Sequence, residues 1–345
     1  MSDFHGSALY ETPRIFSSWD DLLEGISCAQ DWELRRVDLR RRFLELLRDA
    51  VKPPKPPLDL HIEETVVVDD SYERLSITYA VEADERAHAY LGIPLKLTGP
   101  TPAVVALHGT TPQGTEQTGG LSGDPNKAYL DPLCRKGFIV IAPEHFGSGR
   151  RIPPEGPYDT GHFYRKHPGW TAVGKSTFEH SIAIDVLQSL PQVDSSRIGC
   201  MGHSLGGHGA YFLAAYDERV TAVASNCAGA SFRHNPDVEL YARDHWYVYF
   251  KHLRPVLLAR QPLPIDLHEI IALIAPRAFL DISALNDVHF ASQSQRVLMM
   301  LKLAELYALL DQPGQFSFFV HGQGHSMPLE SRHLLDAFLS ARLKS

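Results

Sequence analysis

Two kinds of hydropathy pattern divide the chain. Between Asp31 and Ala50, Leu34, Val37, Leu44 and Leu47 recur at helical spacing opposite Arg35, Arg42 and Arg48, which predicts an amphipathic helix with a solvated basic face. Ser18 and Asp21, ahead of Leu22 and Leu23, resemble a capping box with a shortened acid, so helix is expected over the first segment to about residue 50. Lys52-Pro53-Pro54-Lys55-Pro56-Pro57 stops the helix and forms a stiff linker. Thr65–Val68, Leu75–Tyr79 and Ala87–Ile93 then read as short, partly alternating strands of an antiparallel meander. Beyond Pro102 the pattern changes to apolar runs with helix-length segments between most of them. These runs are Ala103–Leu107, Phe138–Ala142, Ile198–Met201, Val220–Ala224, Ala278–Ile282 and Phe316–Val320. Strands this apolar are covered on both faces, as in a parallel sheet flanked by helices. The predicted class is α/β, a mostly parallel central sheet of about eight strands. An N-terminal helical extension and linker (1–57) precede the main domain (58–345), and lid-like insertions fall near 145–175 and 230–268.

Composition narrows the function. Asp and Glu total 41 against 33 Lys and Arg, a net charge of −8, the wrong sign for a nucleic-acid binder. No run of 18 apolar residues exists, so no membrane-spanning helix is expected. Met1–Gly6 lacks a basic patch leading into an apolar stretch, which reads as a chain without a secretory leader. Cys28, Cys134, Cys200 and Cys227 form no CxxC or Cys/His spacing, and Cys200 and Cys227 adjoin apolar runs as buried thiols do. A reduced, cytoplasmic chain is therefore expected, although a secreted chain stripped of its leader reads the same way. No repeat of 20–50 residues is present.

In parallel sheets the chemistry gathers beyond the carboxyl ends of the strands. After Ile198–Met201 comes Gly202-His203-Ser204-Leu205-Gly206-Gly207, a G-x-S-x-G motif between a strand and a helix. A serine on so sharp a turn needs neighbours without Cβ atoms, and the hydroxyl needs a base oriented by an acid. Asp287 lies in the loop past Ala278–Ile282, where a carboxylate can reach a histidine, whereas Asp281 sits inside the strand. Asp287 is thus the candidate acid, its bland alternative being an N-cap of a helix starting near Val288. After Val320, the loop His321-Gly322-Gln323-Gly324-His325 delivers His325 as the candidate base, leaving His321 a hydrogen bond at the strand end. The backbone amides of Leu205 and Thr110, with Thr111 as fallback, are the candidate oxyanion donors. His108 reads as a loop brace.

These pieces resemble an α/β-hydrolase, and within that superfamily the acetyl xylan esterase and dienelactone hydrolase-related group. Leu107-His108-Gly109-Thr110-Thr111, Ala142-Pro143-Glu144, the serine motif, Ala275-Pro276-Arg277, Asn286-Asp287 and His321–His325 carry the likeness over residues about 60 to 340. The resemblance implies the same roles for Ser204, Asp287 and His325. Two departures stand out. Glu144 replaces a common Asp, and Ser225-Asn226-Cys227-Ala228-Gly229 holds no acid where some glucuronoyl esterases keep theirs, which counts modestly against that activity. Aromatics in the two insertions either line a pocket or build a small lid core. His203, Trp170 and Trp246 are the pocket candidates. Arg150 and Arg151 either bind an acidic group or lie on a solvated loop. No metal or cofactor is expected, for no HExxH or carboxylate cluster appears. The expectation is a serine carboxylesterase of short-acyl esters, acetylated carbohydrates among them, with a small-molecule or carbohydrate ester as its partner. Peptide or amide hydrolysis and acyl transfer are the enzymatic alternatives; a catalytically silent binding protein is the other. The oligomeric state is not legible in the sequence.

Overall fold

The computed structural model describes residues 22–229, 231–232, 237–261 and 263–344. Ser18 and Asp21 lie outside these. Nine strands form one sheet: β1 (His61–Val68), β2 (Tyr72–Glu82), β3 (Glu85–Pro94), β4 (Thr101–Leu107), β5 (Ile139–Pro143), β6 (Val193–His203), β7 (Val220–Asn226), β8 (Ala278–Ala284) and β9 (Phe316–His321). Their order is β1-β2-β3-β5-β4-β6-β7-β8-β9. β1, β2, β3 and β5 pair antiparallel, and every pair from β5 through β4 to β9 is parallel. The meander and the six apolar runs all enter this one sheet, which makes nine strands rather than about eight. Every residue of β4, β5 and β8 is buried, as strands covered on both faces require. No helix among the described residues is long and apolar enough to cross a membrane.

Sequence order reverses at β4, whose neighbours β5 and β6 lie on opposite sides. Such a switch point opens a crevice above the carboxyl ends of the strands. Leu107 of β4 lies beside Gly202 of β6, so Gly109-Thr110 and Ser204 emerge next to each other.

The first helix, α1 (Ala29–Leu47), corrects the expected stripe. Leu34 and Val37 are 72% and 71% exposed, and the buried side chains are Trp32, Leu39, Phe43, Leu46 and Leu47. Trp32 begins a 3–4 spacing about a third of a turn away from the expected stripe, and its larger apolar area decides which face turns inward. The helix also stops at Leu47, short of Ala50, with Arg48 left-handed (φ 57°). Thr171 caps the next long helix, α2 (Ala172–Ser189), accepting from the Gly174 amide at 2.9 Å while donating to Leu47 O at 2.8 Å.

Charges are buried where the first insertion meets α2. Arg151 is not on a solvated loop. Its guanidinium meets Glu179 at 2.6 Å and also Glu85, while Lys175 meets Glu82 at 2.5 Å and Glu179 at 2.7 Å. Arg150, by contrast, is exposed and pairs with Glu63. Burial alone would raise the Glu179 carboxyl, but Arg151 and Lys175 overcome it and hold it at about 2. Its folded value lies below its ordinary 4.5, so this stabilisation is present above pH 4.5 and is lost as pH falls through about 2. Glu179→Ala takes one carboxylate from Arg151, which keeps Glu85, and from Lys175, which keeps Glu82 and Glu85, and should lower unfolding free energy by about 2–3 kcal/mol in urea melts at neutral pH. A loss below about 1 kcal/mol would show the network to be no more than a surface-like pairing.

Candidate active site

Ser204 sits between β6 and helix α3 (Leu205–Tyr216) with φ 57° and ψ −119°, a backbone conformation that L side chains rarely adopt. The surrounding glycines make the turn possible. A Cβ on Gly202 would lie 2.4 Å from the Gly206 backbone, and one on Gly206 would lie 2.2 Å from Leu107 O. The Ser204 amide donates to Asn226 O at 2.8 Å, which fixes the turn to β7. Gly206→Ala therefore forces α3 away from β4 and should cost about 1–3 kcal/mol of stability together with most activity. Wild-type melting and turnover in that variant would contradict the close packing.

Three side chains form a hydrogen-bonded series. His325 Nε2 lies 2.9 Å from Ser204 Oγ, and His325 Nδ1 lies 2.7 Å from Asp287 Oδ2. A carboxylate only accepts, so Nδ1 carries the proton and the Nε2 lone pair faces the serine hydroxyl. Asp287 Oδ1 accepts from the His289 amide at 2.8 Å and the Phe290 amide at 3.0 Å. Burial would raise the Asp287 carboxyl, but the His325 bond and charge and these amides hold it below the usual carboxylate range. The following helix, α4 (Gln293–Leu309), starts well beyond Val288, so Asp287 bonds a loop and caps no helix there. Asp281 is committed elsewhere: it forms a fully buried ion pair with Arg296 and accepts from Ser283 Oγ at 2.7 Å. The histidine loop is fastened at two points. Gly324, left-handed at φ 68°, donates its amide to Asn286 Oδ1 at 2.8 Å, and Ser326 O accepts from Asn226 Nδ2 at 2.9 Å.

Gly109, Thr110 and Leu205 line the same cavity of about 460 Å³ as Ser204 and His325. The Thr111 amide is already given to the Tyr158 hydroxyl at 3.0 Å, so of the two threonines Thr110 is the one that faces the cavity. His108 braces the loop, its Nδ1 donating to Gly109 O at 2.7 Å and its Nε2 accepting the His145 amide at 3.0 Å. His321 Nδ1 accepts the Gln323 amide at 3.2 Å at the end of β9.

The pocket candidates divide. Trp246 lines the cavity with Tyr158, Tyr247 and Tyr249. His203 lines it too, but burial, and then Lys127 and the neighbouring histidines, push its imidazole well below 6.5, so it stays neutral. It accepts at Nδ1 from Asn226 Nδ2 at 2.6 Å. Trp170 must be corrected. It is 2% exposed, packs on Phe163, His167 and Phe178, and lines no part of this cavity, because Thr171 and Gly174 draw it into the junction with α1. The insertions thus supply both a pocket wall and a small core. Sequence reasoning missed Asn226, read only for the acid it lacks, and Arg243, which lines the cavity from the second insertion. Among the described residues Cys227, Asp287 and His325 alone cluster as metal ligands do, yet the Asp287–His325 bond already uses two of those groups, and burial pushes the Cys227 thiol up to about 12.

The chain has the α/β-hydrolase fold. A family model described as glucuronyl esterase of fungi matches residues 154–310, a span that includes Ser204 and Asp287 and ends before His325. The protein YtaP of Bacillus subtilis (strain 168), which carries the name of a hydrolase, is 28% identical over 259 residues, 73% of this chain and 81% of its own. Carbohydrate esterase MZ0003, from an unknown prokaryotic organism, is 30% identical over 126 residues, covering 34% of this chain and 29% of its own. A glucuronoyl esterase from Solibacter usitatus superposes with a TM-score of 0.74 at 18% identity over 96% of this chain and 98% of that one. Acetyl xylan esterase 1 from Thermoanaerobacterium sp. JW/SL YS485 does so at 0.60 and 19% identity, with each chain fully covered.

Proposed function

We propose that the protein is a serine carboxylesterase acting on carbohydrate esters. The observation that carries the reading is the Ser204–His325–Asp287 series at the floor of an aromatic-walled cavity. Ser204 Oγ attacks the ester carbonyl as its proton passes to His325 Nε2. Asp287 holds the ring and stabilises the imidazolium, and the Leu205 and Thr110 amides bind the tetrahedral oxyanion. His325 returns the proton to the departing alkoxide, leaving an acyl-Ser204 ester. Water, deprotonated at the same Nε2, then releases the acid and restores the hydroxyl. The attacks by Ser204 and by water each need a neutral base, so activity falls on acidification. Four unpaired cysteines are in keeping with the reducing, cytoplasmic location we infer.

The acyl group we propose is short, acetate before long chains, because the cavity is walled by Trp246 and tyrosines mixed with polar groups. Aromatic faces with polar neighbours suit sugars better than lipid tails. The glucuronyl esterase match favours a second reading in which the sugar acid is itself the acyl part. The p-nitrophenyl acetate, butyrate, octanoate and palmitate series, run beside acetylated xylan and a methyl glucuronate ester, separates these. We expect kcat/KM to be highest for acetate and to fall with chain length. A steady rise toward palmitate would overturn the short-acyl assignment, and methyl glucuronate turnover without acetate release would transfer the reading to uronoyl esters.

A further inference from the structure

The cavity above Ser204 is lined by charge of the opposite sign to the net charge of the chain. The chain carries 41 acidic against 33 basic residues. Yet among the described residues no Asp or Glu lines this cavity, while Lys127 and Arg243 do. Among the described residues Lys127 pairs with one carboxylate, Asp124 at a loose 3.6 Å. Among the same residues Arg243 pairs with none, and its Nε donates to Leu240 O at 2.8 Å. Its guanidinium lies 5.0 Å from the Trp246 ring and 5.5 Å from the Tyr249 ring, two walls of the same cavity. Stacking on two rings sets the guanidinium plane and leaves the Nη groups for another acceptor. Burial depresses the Arg243 pKa, the direction expected of a cation held without a counter-charge. Desolvated cations of this kind are costly unless something pairs them. A planar fork is the shape that grips a carboxylate with two parallel hydrogen bonds.

We propose that Arg243, assisted by Lys127, selects esters that carry a free carboxylate besides the ester bond, so that the substrate class is an acidic carbohydrate ester. This rests on the esterase reading and goes beyond it by assigning a specificity residue and a charge to the substrate. The bland role for Arg243 is a clamp that holds the second insertion through Leu240, Trp246 and Tyr249. A clamp would serve charged and neutral substrates alike; a carboxylate reader would not.

Two matched ester pairs separate these roles. The first, 4-acetoxybenzoate against methyl 4-acetoxybenzoate, puts the carboxylate on the alcohol part. The second, p-nitrophenyl hemiglutarate against p-nitrophenyl pentanoate, puts it on the acyl part. Rates are corrected for spontaneous hydrolysis and read at low and at high salt. In at least one pair the wild-type protein should favour the anion by about tenfold in kcat/KM, the size of one charge-assisted hydrogen bond. The favoured pair identifies which side of the ester bears the charge. R243Q should bring that ratio close to one, R243K should keep part of it, and K127Q should reduce it less than R243Q. High salt should compress it in the wild type. An anion that is no better than its neutral partner overturns the proposal and leaves the esterase reading standing. So does an unchanged ratio in R243Q with both rates lowered together, the signature of a clamp. Failure of wild-type protein to cleave any of the four esters overturns the esterase reading itself.

Discussion

Replacing Ser204 by alanine should lower kcat for every ester substrate by at least about three orders of magnitude while the chain stays folded. The Oγ is the atom that His325 Nε2 is aimed at, 2.9 Å away, and among the described residues no other hydroxyl hydrogen-bonds that nitrogen. The backbone strain at φ 57° is the same for alanine as for serine, so the turn itself has no reason to open. What survives is the contribution of the Leu205 and Thr110 amides and of substrate binding, which in hydrolases of this mechanism leaves a residual rate above water. Steady-state rates on p-nitrophenyl acetate, with a melting curve as control, measure both halves. A variant that keeps more than about 1% of wild-type kcat, free of contaminating esterase, would remove Ser204 from the mechanism.

The second large effect distinguishes two buried aspartates. Asp287→Asn should reduce kcat by about 10⁴-fold at neutral pH, because an amide can donate to Nδ1 and hold the imidazole in the wrong tautomer. Stability should change little, since the amide oxygen can still accept from the His289 and Phe290 amides. Asp281→Asn should do the reverse. It leaves the fully buried Arg296 guanidinium without its carboxylate, which costs about 3–5 kcal/mol of stability, while the folded fraction still turns over substrate. Activity and urea melts on both variants test the pair together. Severe loss of kcat at Asp281 with a mild one at Asp287, both folded, would exchange the roles.

Why the two carboxylates were separable in the sequence is clear from the sheet. Asp281 is flanked by apolar residues at strand spacing, and a side chain within a strand covered on both faces points into a helix layer, here to Arg296 on α4. Asp287 follows the strand, where loops gather above the carboxyl edge. The same logic made Ser204 and His325 legible, since each stands in a glycine-bearing loop after an apolar run. Legibility failed where packing between distant segments decides the outcome. The spacing of Leu34, Val37, Leu44 and Leu47 suggests the inner stripe of α1, yet of these only Leu47 is buried, and Trp32 and Phe43, with larger apolar area, face the core. Arg151 looked like a loop cation until Glu179 and Glu85, 28 and 66 residues away, closed around it. Trp170 and Trp246 carry the same ring in similar insertions, and only the fold places one in the core and the other beside the serine.

Labelling with a fluorophosphonate, followed by peptide mapping, tests the central claim most directly. Such a reagent phosphonylates only a serine whose proton a nearby base can take, and needs no knowledge of the ester substrate. One adduct per chain is expected, on Ser204, formed more slowly at low pH and not formed in His325→Ala. An adduct on another residue, or no adduct in folded wild-type protein, would contradict the account.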